Sequence, residues 1–280
     1  MRVIEASRLG QDIEALCLEV STVLPADAAE AIARYRGIEE SPAGRSAMDL
    51  ILENARVASE LGVPLCQDTG IFTIYLTLAP PTSIEGDLER EAGKAVARAT
   101  AIGSLRPSVV ADPLGRRVNT GNNCPPLVEV EVVSGEQSTL GVLAKGGGTE
   151  MASRLAMMSP GAGWAGALEF IVRVVESFGA RACPPLLLGV GVGGSFDRAP
   201  KLAKKALMTP LDVETSDPAT RAREAELVER VNRLGIGPGG VGGTVTCFGA
   251  RIAEAPCHMA NLPVALSLNC HSLRRKTVPI

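Results

Sequence analysis

Three cysteines in unlike surroundings are the strongest chemical feature of this sequence. Cys66 lies in VPLCQDTG, Cys183 in ARACPPLLLGVGVGG and Cys270 in LSLNCHSLRR. We interpret them as three ligands of one iron-sulfur cluster. A cubane cluster has four irons, so three thiolates leave one iron open to a substrate, and an open position distinguishes a catalytic metal from a structural one. The pattern therefore favours a dehydratase over a ferredoxin.

The cysteine spacing also permits a plainer interpretation. The chain has seven cysteines, an odd number without any C-x-x-C pair, which argues against a disulfide framework in a cytoplasmic protein. A lone cysteine on an apolar segment is more often a small core residue than a ligand. That interpretation fits Cys17, Cys124, Cys247 and Cys257. The wide separation of the three candidate ligands leaves it open for them too.

Composition and charge exclude several classes of protein. The chain has 280 residues, 46% of them hydrophobic and 3% aromatic, with a net charge of −3. Acidic and basic residues are mixed throughout, without the basic stripe that phosphate-backbone binding requires, so we expect no nucleic acid partner. The N-terminus lacks a signal-peptide core, and no apolar run reaches about 18 residues, so we expect no membrane span. These features predict a cytoplasmic protein.

Hydrophobic periodicity predicts an α+β (mixed α/β) fold. Apolar residues at three- and four-residue steps predict helices over 3–24, 27–38 and 47–62, which form a helical N-terminal lobe, residues 1–62. Residues 63–280 mix strands and helices and hold the predicted site. No flexible linker separates the two parts, so we treat the chain as a single domain.

Two local patterns in residues 63–280 give sharper structural predictions. SIEGDLEREAGKAVARATAIG, residues 83–103, has the spacing of a helix. The runs 127–133 and 138–144 alternate like strands, and the SGEQ segment that joins them predicts a paired hairpin. The second run leads directly into the sequence KGGGTE, which we expect to continue into a further helical stretch.

Polar residues accompany the three cysteines, which lie where strands or Pro-containing turns meet loops. Loops on a rigid scaffold are common places for the ligands of a shared site. Gln67 and Asp68 follow the first cysteine, Arg106 lies in LRPSVVADP, and Asn119 to Asn123 form a polar turn. The two histidines, His258 and His271, flank the third cysteine. Such a polar set suits an anionic substrate.

Several of these features have structural alternatives. Gly146 to Gly148 can offer backbone N–H groups to a carboxylate as a nest, or can form a tight turn between a strand and a helix. Asp68 can transfer a proton or simply cap the Thr69-Gly70 turn. His258 can relay protons or be a satisfied structural group. Gly191 to Gly194 lack a dinucleotide-binding pattern.

The motifs taken together resemble one family. CQDTG, NTGNN, KGGGTE, ACPPLLLGVGVGGSFDRAPKLAKKAL, NRLGIGPGGVGG and PCHMANLPVALSLNC occur in that order. They resemble the α-subunit, or N-terminal domain, of iron-sulfur (class I) fumarate hydratases and the related L(+)-tartrate dehydratases. The resemblance runs from about Ser46 to Arg275. The first 45 residues match only in being helical.

The resemblance implies a cofactor and roles for particular residues. By motif matching, Cys66, Cys183 and Cys270 would ligate a 4Fe-4S cluster whose open iron is a Lewis acid. Gln67 and Arg106 would hold substrate carboxylates, the arginine through parallel hydrogen bonds. Asp68 is the candidate for proton transfer, and His258 matches a histidine near the site. The site residues are completed by a substrate-binding pair, Gly147 and Gly148.

The resemblance also implies a partner and a range of substrates. Single-chain relatives continue into a second domain, whereas this sequence ends at Ile280, so we expect a separate β-subunit and an α2β2 assembly. KGGGTE and GGSFDRAPKLAKKAL are more similar to the fumarase branch, which favours fumarate and malate as substrates. Tartrate dehydration to oxaloacetate, or a mesaconate-type hydration, is the alternative. A non-catalytic iron-sulfur sensor is disfavoured because Asp68, Arg106 and His258 are retained.

Overall fold

Helices and strands are mixed along the chain, and they confirm the predicted α+β (mixed α/β) class. The computed structural model describes residues 2–280. The helices are α1 (Ala6–Thr22), α2 (Ala26–Ile38), α3 (Pro42–Leu61), α4 (Leu88–Ile102), α5 (Gly147–Ala152), α6 (Gly163–Phe178), α7 (Arg198–Ala206) and α8 (Pro218–Asn232). The strands are β1 (Arg2–Glu5), β2 (Ile71–Leu78), β3 (Thr82–Glu85), β4 (Leu127–Val132), β5 (Thr139–Lys145), β6 (Arg154–Met158), β7 (Leu186–Gly193), β8 (Cys247–Ala255), β9 (Leu262–Asn269) and β10 (Arg274–Pro279).

The chain separates into two compact units. The first unit contains residues 2–25, 54–147 and 274–280, and the second contains residues 26–53 and 148–273. The predicted helical N-terminal segment therefore contributes to both units, because α1 belongs to the first and α2 to the second. The predicted single domain, with its division at residue 62, stays a prediction. Within residues 2–280, no helix has the length and apolar character needed to cross a bilayer.

The first unit is built on a sheet of four strands in the order β10-β5-β2-β4. Strand β2 is central, since it pairs antiparallel with β5 and parallel with β4. Helices α1 and α4 pack on this sheet, and their apolar side chains form a core with those of β2 and β5. Asp87 caps the beginning of helix α4, since its carboxylate accepts the N–H of Arg90 and so satisfies one unpaired helix donor.

The predicted hairpin between residues 127–133 and 138–144 is wrong. Both runs are strands, but β2 lies between them, so that Thr73 pairs with Leu127 on one side and with Leu143 on the other. Strands β2 and β5 are internal and covered on both edges, whereas the more polar β4 lies at the edge of the sheet. The intervening residues 133–138 are long enough to cross one strand, a width of roughly 10 Å.

Short strands replace parts of three predicted helices. Residues 2–5 and 82–85 form the parallel pair β1 and β3 instead of helical turns. The helical stretch predicted after KGGGTE is the six-residue helix α5, which gives way to β6 at Arg154. A pairing partner that is distant in sequence decides each of these segments, and local periodicity does not contain that information.

The second unit contains a sheet in the order β6-β9-β7-β8. Helices α6 and α8 contribute to the apolar core on this sheet, together with the buried side chains of β7 and β9. Helix α7 packs against β7 and β9. A Cβ on Gly191 would lie 2.1 Å from the carbonyl oxygen of Ala199 in α7. The glycines of GVGVGG therefore serve close helix packing at this position.

A buried carboxylate joins distant segments of the second unit. Glu39 is 1% exposed, and its carboxylate accepts the N–H groups of Ser41, Thr244 and Val245 at 2.7–2.9 Å. Burial raises the pKa of Glu39, but these backbone N–H groups outweigh burial and hold its pKa below the ordinary value. The charged form of Glu39 therefore stabilises the fold.

We expect Glu39→Gln to lower the free energy of unfolding by about 2 kcal/mol at neutral pH, since a neutral amide replaces a carboxylate that accepts three bonds. Because the pKa of Glu39 is lower in the folded chain, its charge stabilises the fold at pH values above the unfolded pKa of about 4.3. This contribution is lost as the pH falls through the folded-state pKa. The deficit should therefore shrink in acid, as measured by urea denaturation from pH 7 to pH 3. Glu40→Gln, at the exposed neighbour, is the control, and a deficit of constant size would contradict the charge argument.

Candidate functional site

The Cys66 loop, residues 62–70, lies between α3 and β2 in the first unit. The Cys66 side chain is half-buried, and its Sγ accepts the N–H of Asp68 at 3.5 Å. Gln67, between them, is exposed. The N–H contact gives the sulfur a direction relative to the backbone, and the thiol also donates to Oε1 of the exposed Gln67 at 3.7 Å. This loop therefore presents a thiol and an amide next to each other.

The Asp68 carboxylate is held by three donors. Its Oδ1 accepts the N–H of Gly70 at 2.9 Å and the hydroxyl of Ser108 at 3.2 Å. Its Oδ2 accepts the N–H of Gly147 at 2.8 Å. The bond to Gly70 is the turn-capping arrangement that the sequence left open as an alternative. Asp68 therefore ties its own turn to two other segments, whatever further role it has.

The candidate Arg106 lies on a loop that a buried amide organises. Asn123 is fully buried, its Nδ2 donates to the carbonyl of Arg106 at 3.2 Å, and its Oδ1 accepts the N–H of Ser108 at 2.6 Å. The Arg106 side chain is exposed. The polar turn noted in the sequence thus fixes the Arg106 backbone while the guanidinium remains available to solvent.

The glycine run, Gly146 to Gly148, follows β5 directly. Gly147 begins α5 and is exposed, and its N–H is donated to Asp68. Gly148, the other candidate of the pair, is also exposed. Lys145, the last residue of β5, is fully buried and pairs with Ile71 at the beginning of β2. This strand end therefore lies beside the Cys66 loop, and the Gly147 N–H contributes to fixing Asp68.

Arg274 is a residue to which the sequence analysis assigned no role. It is 2% exposed, and its Nη1 donates to the carbonyl of Asp68 at 2.7 Å and to that of Thr69 at 3.1 Å. It occurs in the quoted run LSLNCHSLRR, where two successive arginines enter a strand. An arginine in a strand that is expected to be buried needs acceptors, and that requirement was the available signal.

Cys183 and Cys270 lie close together in the second unit. Cys183 precedes β7 and Cys270 follows β9, and these strands run antiparallel with Leu187 opposite Asn269. The carbonyl of Cys183 accepts the N–H of His271 at 3.3 Å. Cys183 is exposed and Cys270 is half-buried. The structure thus brings the loops of two candidate ligands to the same end of one sheet.

His258 lies at the other end of that sheet. It belongs to the loop between β8 and β9, whereas Cys270 follows the last residue of β9. Eight strand residues separate the two loops, a length of about 25 Å. His258 is exposed, its Nδ1 accepts the N–H of Ala260 at 3.1 Å, and it lines a cavity of about 330 Å³ with Trp164 and Arg223. The structure therefore does not place His258 beside Cys270.

The remaining cysteines divide into core residues and one exposed thiol. Cys17 and Cys247 are fully buried, and burial raises the pKa of both thiols far above the ordinary value, as expected of core residues. Cys124 is half-buried, and burial also raises its pKa. Cys257 is exposed, so its assignment as a core residue was wrong.

The chemistry of the three candidate ligands fits an iron-sulfur group. Cys66, Cys183 and Cys270 are thiols with exposed or half-buried side chains, and soft thiolates are the usual ligands of such clusters. Residues 2–280 contain no group of three or more His, Cys, Asp and Glu side chains placed to hold a metal ion. The fit therefore rests on the donor type and on the shared sheet end of Cys183 and Cys270.

Comparison with known proteins defines the family. The family model described as fumarate hydratase (Fumerase) matches residues 10–279. A putative L(+)-tartrate dehydratase subunit alpha of Methanocaldococcus jannaschii is 35% identical over 264 residues, which cover 92% of each chain. The L(+)-tartrate dehydratase subunit alpha of Escherichia coli K12 is 30% identical and covers 92% of this chain and 86% of its own length.

The chain belongs to the fumarate hydratase (Fumerase) family, as its motifs indicated. The matched residues include all three candidate cysteines and both units of the structure. Membership supports hydro-lyase chemistry, since both the family description and the relatives' names denote addition or removal of water.

We expect Gly70→Ala to destabilise the chain more than Gly62→Ala. Both glycines have a positive φ, +74° and +63°, so an alanine at either is strained by about 1 kcal/mol. A Cβ on Gly70 would also lie 2.1 Å from the carbonyl oxygen of Lys145, whereas a Cβ on Gly62 would meet nothing within 4 Å. The total for Gly70 should reach about 3 kcal/mol by chemical denaturation. Equal losses would contradict the close approach of the Cys66 loop to β5.

Proposed function

We propose that this chain is the α-subunit of a hydro-lyase that acts on a four-carbon hydroxy dicarboxylic acid, with reversible hydration of fumarate to malate as the first candidate reaction. The observation that carries the proposal is the Cys66 loop. The Asp68 carboxylate and the backbone of its turn are fixed by hydrogen bonds, next to the Cys66 thiol and the exposed Gln67 amide. A site that must orient a small substrate needs such rigid support.

Three residues would hold the cofactor. Cys66, Cys183 and Cys270 are the proposed ligands of a 4Fe-4S cluster, since thiolates with accessible sulfurs suit this group. When bound, such a cluster with one open iron supplies a Lewis acid toward the substrate hydroxyl. The two fully buried thiols, Cys17 and Cys247, pack in the apolar cores of the two units and are not among the proposed ligands.

Substrate carboxylates would be bound by Gln67 and Arg106. Both side chains are exposed, while neighbouring backbone groups are fixed by Cys66 and Asn123. A guanidinium can donate two parallel bonds to one carboxylate, which sets both distance and orientation. Gly148 is the further proposed contact from the glycine run. The N–H of Gly147 is already donated to Asp68, so its contribution to substrate binding would be indirect.

Proton transfer would occur at Asp68 Oδ2. A carboxylate offers roughly four acceptor positions, two on each oxygen. Oδ1 accepts two bonds, from Gly70 and Ser108, whereas Oδ2 accepts one, from Gly147. One acceptor position therefore remains, on Oδ2, and that atom could take a proton from the carbon next to the hydroxyl-bearing carbon. The structural bonds of Asp68 would then orient the base without saturating it.

His258 would act at the end of the sheet opposite to Cys183 and Cys270. Its position at the far end of β9 supports a role away from Cys270 of the same chain. The proton-relay role stays a prediction for this residue. Its exposed ring faces a cavity with Trp164 and Arg223, where it could also contact an anion.

A second candidate reaction is dehydration of L(+)-tartrate to oxaloacetate. The relatives at 30–35% identity carry the name L(+)-tartrate dehydratase subunit alpha, and this is the observation that favours it. Malate and tartrate differ by one hydroxyl, so the same carboxylate contacts would serve both acids. We therefore propose both reactions as candidates and leave a mesaconate-type hydration as a third substrate to test.

A separate β-subunit would complete the enzyme. Both relatives described above are named as alpha subunits. We propose that this chain pairs with a β-subunit that supplies further substrate contacts, in an α2β2 assembly. The cytoplasmic location inferred from the sequence stays a prediction.

The first test is anaerobic reconstitution of the chain with iron and sulfide, with and without a β-subunit of the same family. We expect water removal from malate, from L(+)-tartrate or from both, and only in the presence of the partner. Fumarate formation is followed by ultraviolet absorbance and oxaloacetate by a coupled assay. Full turnover without the partner would contradict the two-subunit proposal, and a loaded complex inactive on malate, tartrate and mesaconate would contradict the substrate class.

We expect Arg106→Gln to lower kcat/KM about 100-fold in the active complex, because charge-assisted bonds to a carboxylate would be lost. Arg116→Gln is the matched control, since Arg116 is an exposed arginine in the same loop region and has no proposed role. A loss shared by both variants would point to a general effect of charge and would remove Arg106 from the substrate site.

We expect air to inactivate the loaded complex and anaerobic treatment with iron and thiol to restore it. An iron without a fourth thiolate is exposed to oxidants, whereas a fully ligated cluster is protected. Activity and visible absorbance should fall together during exposure. Activity that persists through hours in air would argue against an open cluster on Cys66, Cys183 and Cys270.

A further inference from the structure

We propose that Arg274 is a positioning residue that sets the direction of the Cys66 sulfur through the backbone of Asp68. Arg274 lies in the last strand, β10, and is not one of the proposed substrate contacts. This role rests on the proposed function in one respect, namely that Cys66 is a ligand at the reacting site.

The Asp68 backbone is bonded at both of its polar groups. Its N–H is donated to Cys66 Sγ at 3.5 Å, and its carbonyl accepts Arg274 Nη1 at 2.7 Å. The same Nη1 donates to the carbonyl of Thr69 at 3.1 Å. Two successive carbonyls must therefore point toward one guanidinium nitrogen, and this requirement fixes the orientation of the turn. The Cys66 contact to the Asp68 N–H depends on that orientation.

Arg274 is itself held in place by the sheet. It is 2% exposed and begins β10, where it pairs with Ala144 of β5. A buried guanidinium is costly unless it is hydrogen-bonded, so the two carbonyls also compensate for its desolvation. Its Nε has no hydrogen-bond partner. The bonds from Nη1 therefore compensate for burial of the guanidinium and, at the same time, orient the Asp68 and Thr69 carbonyls.

The bonds of the Asp68 side chain act on a different part of the turn. Gly70, Gly147 and Ser108 bind the Asp68 side chain. They orient the carboxylate, whereas Arg274 binds the Asp68 and Thr69 carbonyls. A lysine at this position would keep the charge, but its ammonium nitrogen is one bond closer to Cα than Nη1 and would not reach both carbonyls without a shift of the backbone. We therefore expect substitution of Ser108 to affect the position of the Asp68 carboxylate, and substitution of Arg274 to affect the position of the Cys66 thiol.

The test measures the loop directly in the full-length chain. In Arg274→Lys and Arg274→Met, amide hydrogen exchange is followed in the peptide that spans residues 65–70, together with the alkylation rate of Cys66 by iodoacetamide. We expect exchange and alkylation to rise about tenfold with methionine and less with lysine, since charge-assisted bonds to the turn are lost or weakened. The exchange of β7 and the alkylation of Cys183 should stay at the parent values.

Lys276→Gln is the matched control. Lys276 is on the same face of β10 and forms an ion pair with Glu19 of α1, away from the turn. This variant should leave the 65–70 peptide and Cys66 unchanged. A general loosening of the chain would raise exchange in β7 as well, so parallel changes in both peptides would overturn the positioning role. If Arg274→Met does not fold, the lysine variant decides by the same two readings.

A failure of the positioning role of Arg274 can be distinguished from a failure of the proposed function. Neither exchange nor alkylation depends on which acid the enzyme dehydrates, or on whether it dehydrates any. Unchanged Cys66 reactivity in Arg274→Lys, together with unchanged exchange at 65–70, would overturn the inference while leaving the proposed function intact. A chain without turnover but with a freed Cys66 loop would overturn the function and leave the positioning role standing.

Discussion

The register between β2, β5 and β10 is the constraint on which the first unit depends. Ile71 opposite Lys145, and Ala144 opposite Arg274, bring three chain segments to one end of the sheet. The Cys66 loop leads into this end, and the glycine run leaves from it. Because side chains alternate along a strand, a shift of one residue in the pairing of β10 with β5 would turn Arg274 away from the turn that it now binds. The chemistry proposed for Cys66 and Asp68 thus requires correct strand pairing far away in sequence.

Local patterns were sufficient to predict several elements but not their neighbours. The helices α1 to α4 follow from apolar spacing, and β4 and β5 follow from alternating runs. The pairing of β4 with β2 could not be read from the sequence, because a short connection predicts a hairpin unless a third strand intervenes. The strands β1 and β3 depend in the same way on a partner about 80 residues away.

Residues at the site were predictable by type more readily than by environment. The cysteine neighbourhoods and Asp68 stand out in sequence because they occur in distinctive motifs. The role of Arg274 was hidden, since nothing in the sequence indicates that two carbonyls 205 and 206 positions earlier would be its acceptors. Cys257 shows the opposite error, because an apolar context suggested burial whereas the loop between β8 and β9 exposes it.

Strand β9 has a consequence for how substitutions in the second unit combine. It is paired on both sides, with β6 and with β7, so its two ends are held about 25 Å apart. The four-carbon acid proposed as the substrate spans a small fraction of that length and cannot touch groups at both ends. Residues so far apart and without shared partners usually contribute independently to a free energy. Within one chain, the energetic effects of changing His258 and changing Cys270 would therefore add, and a double-mutant cycle would close with little coupling.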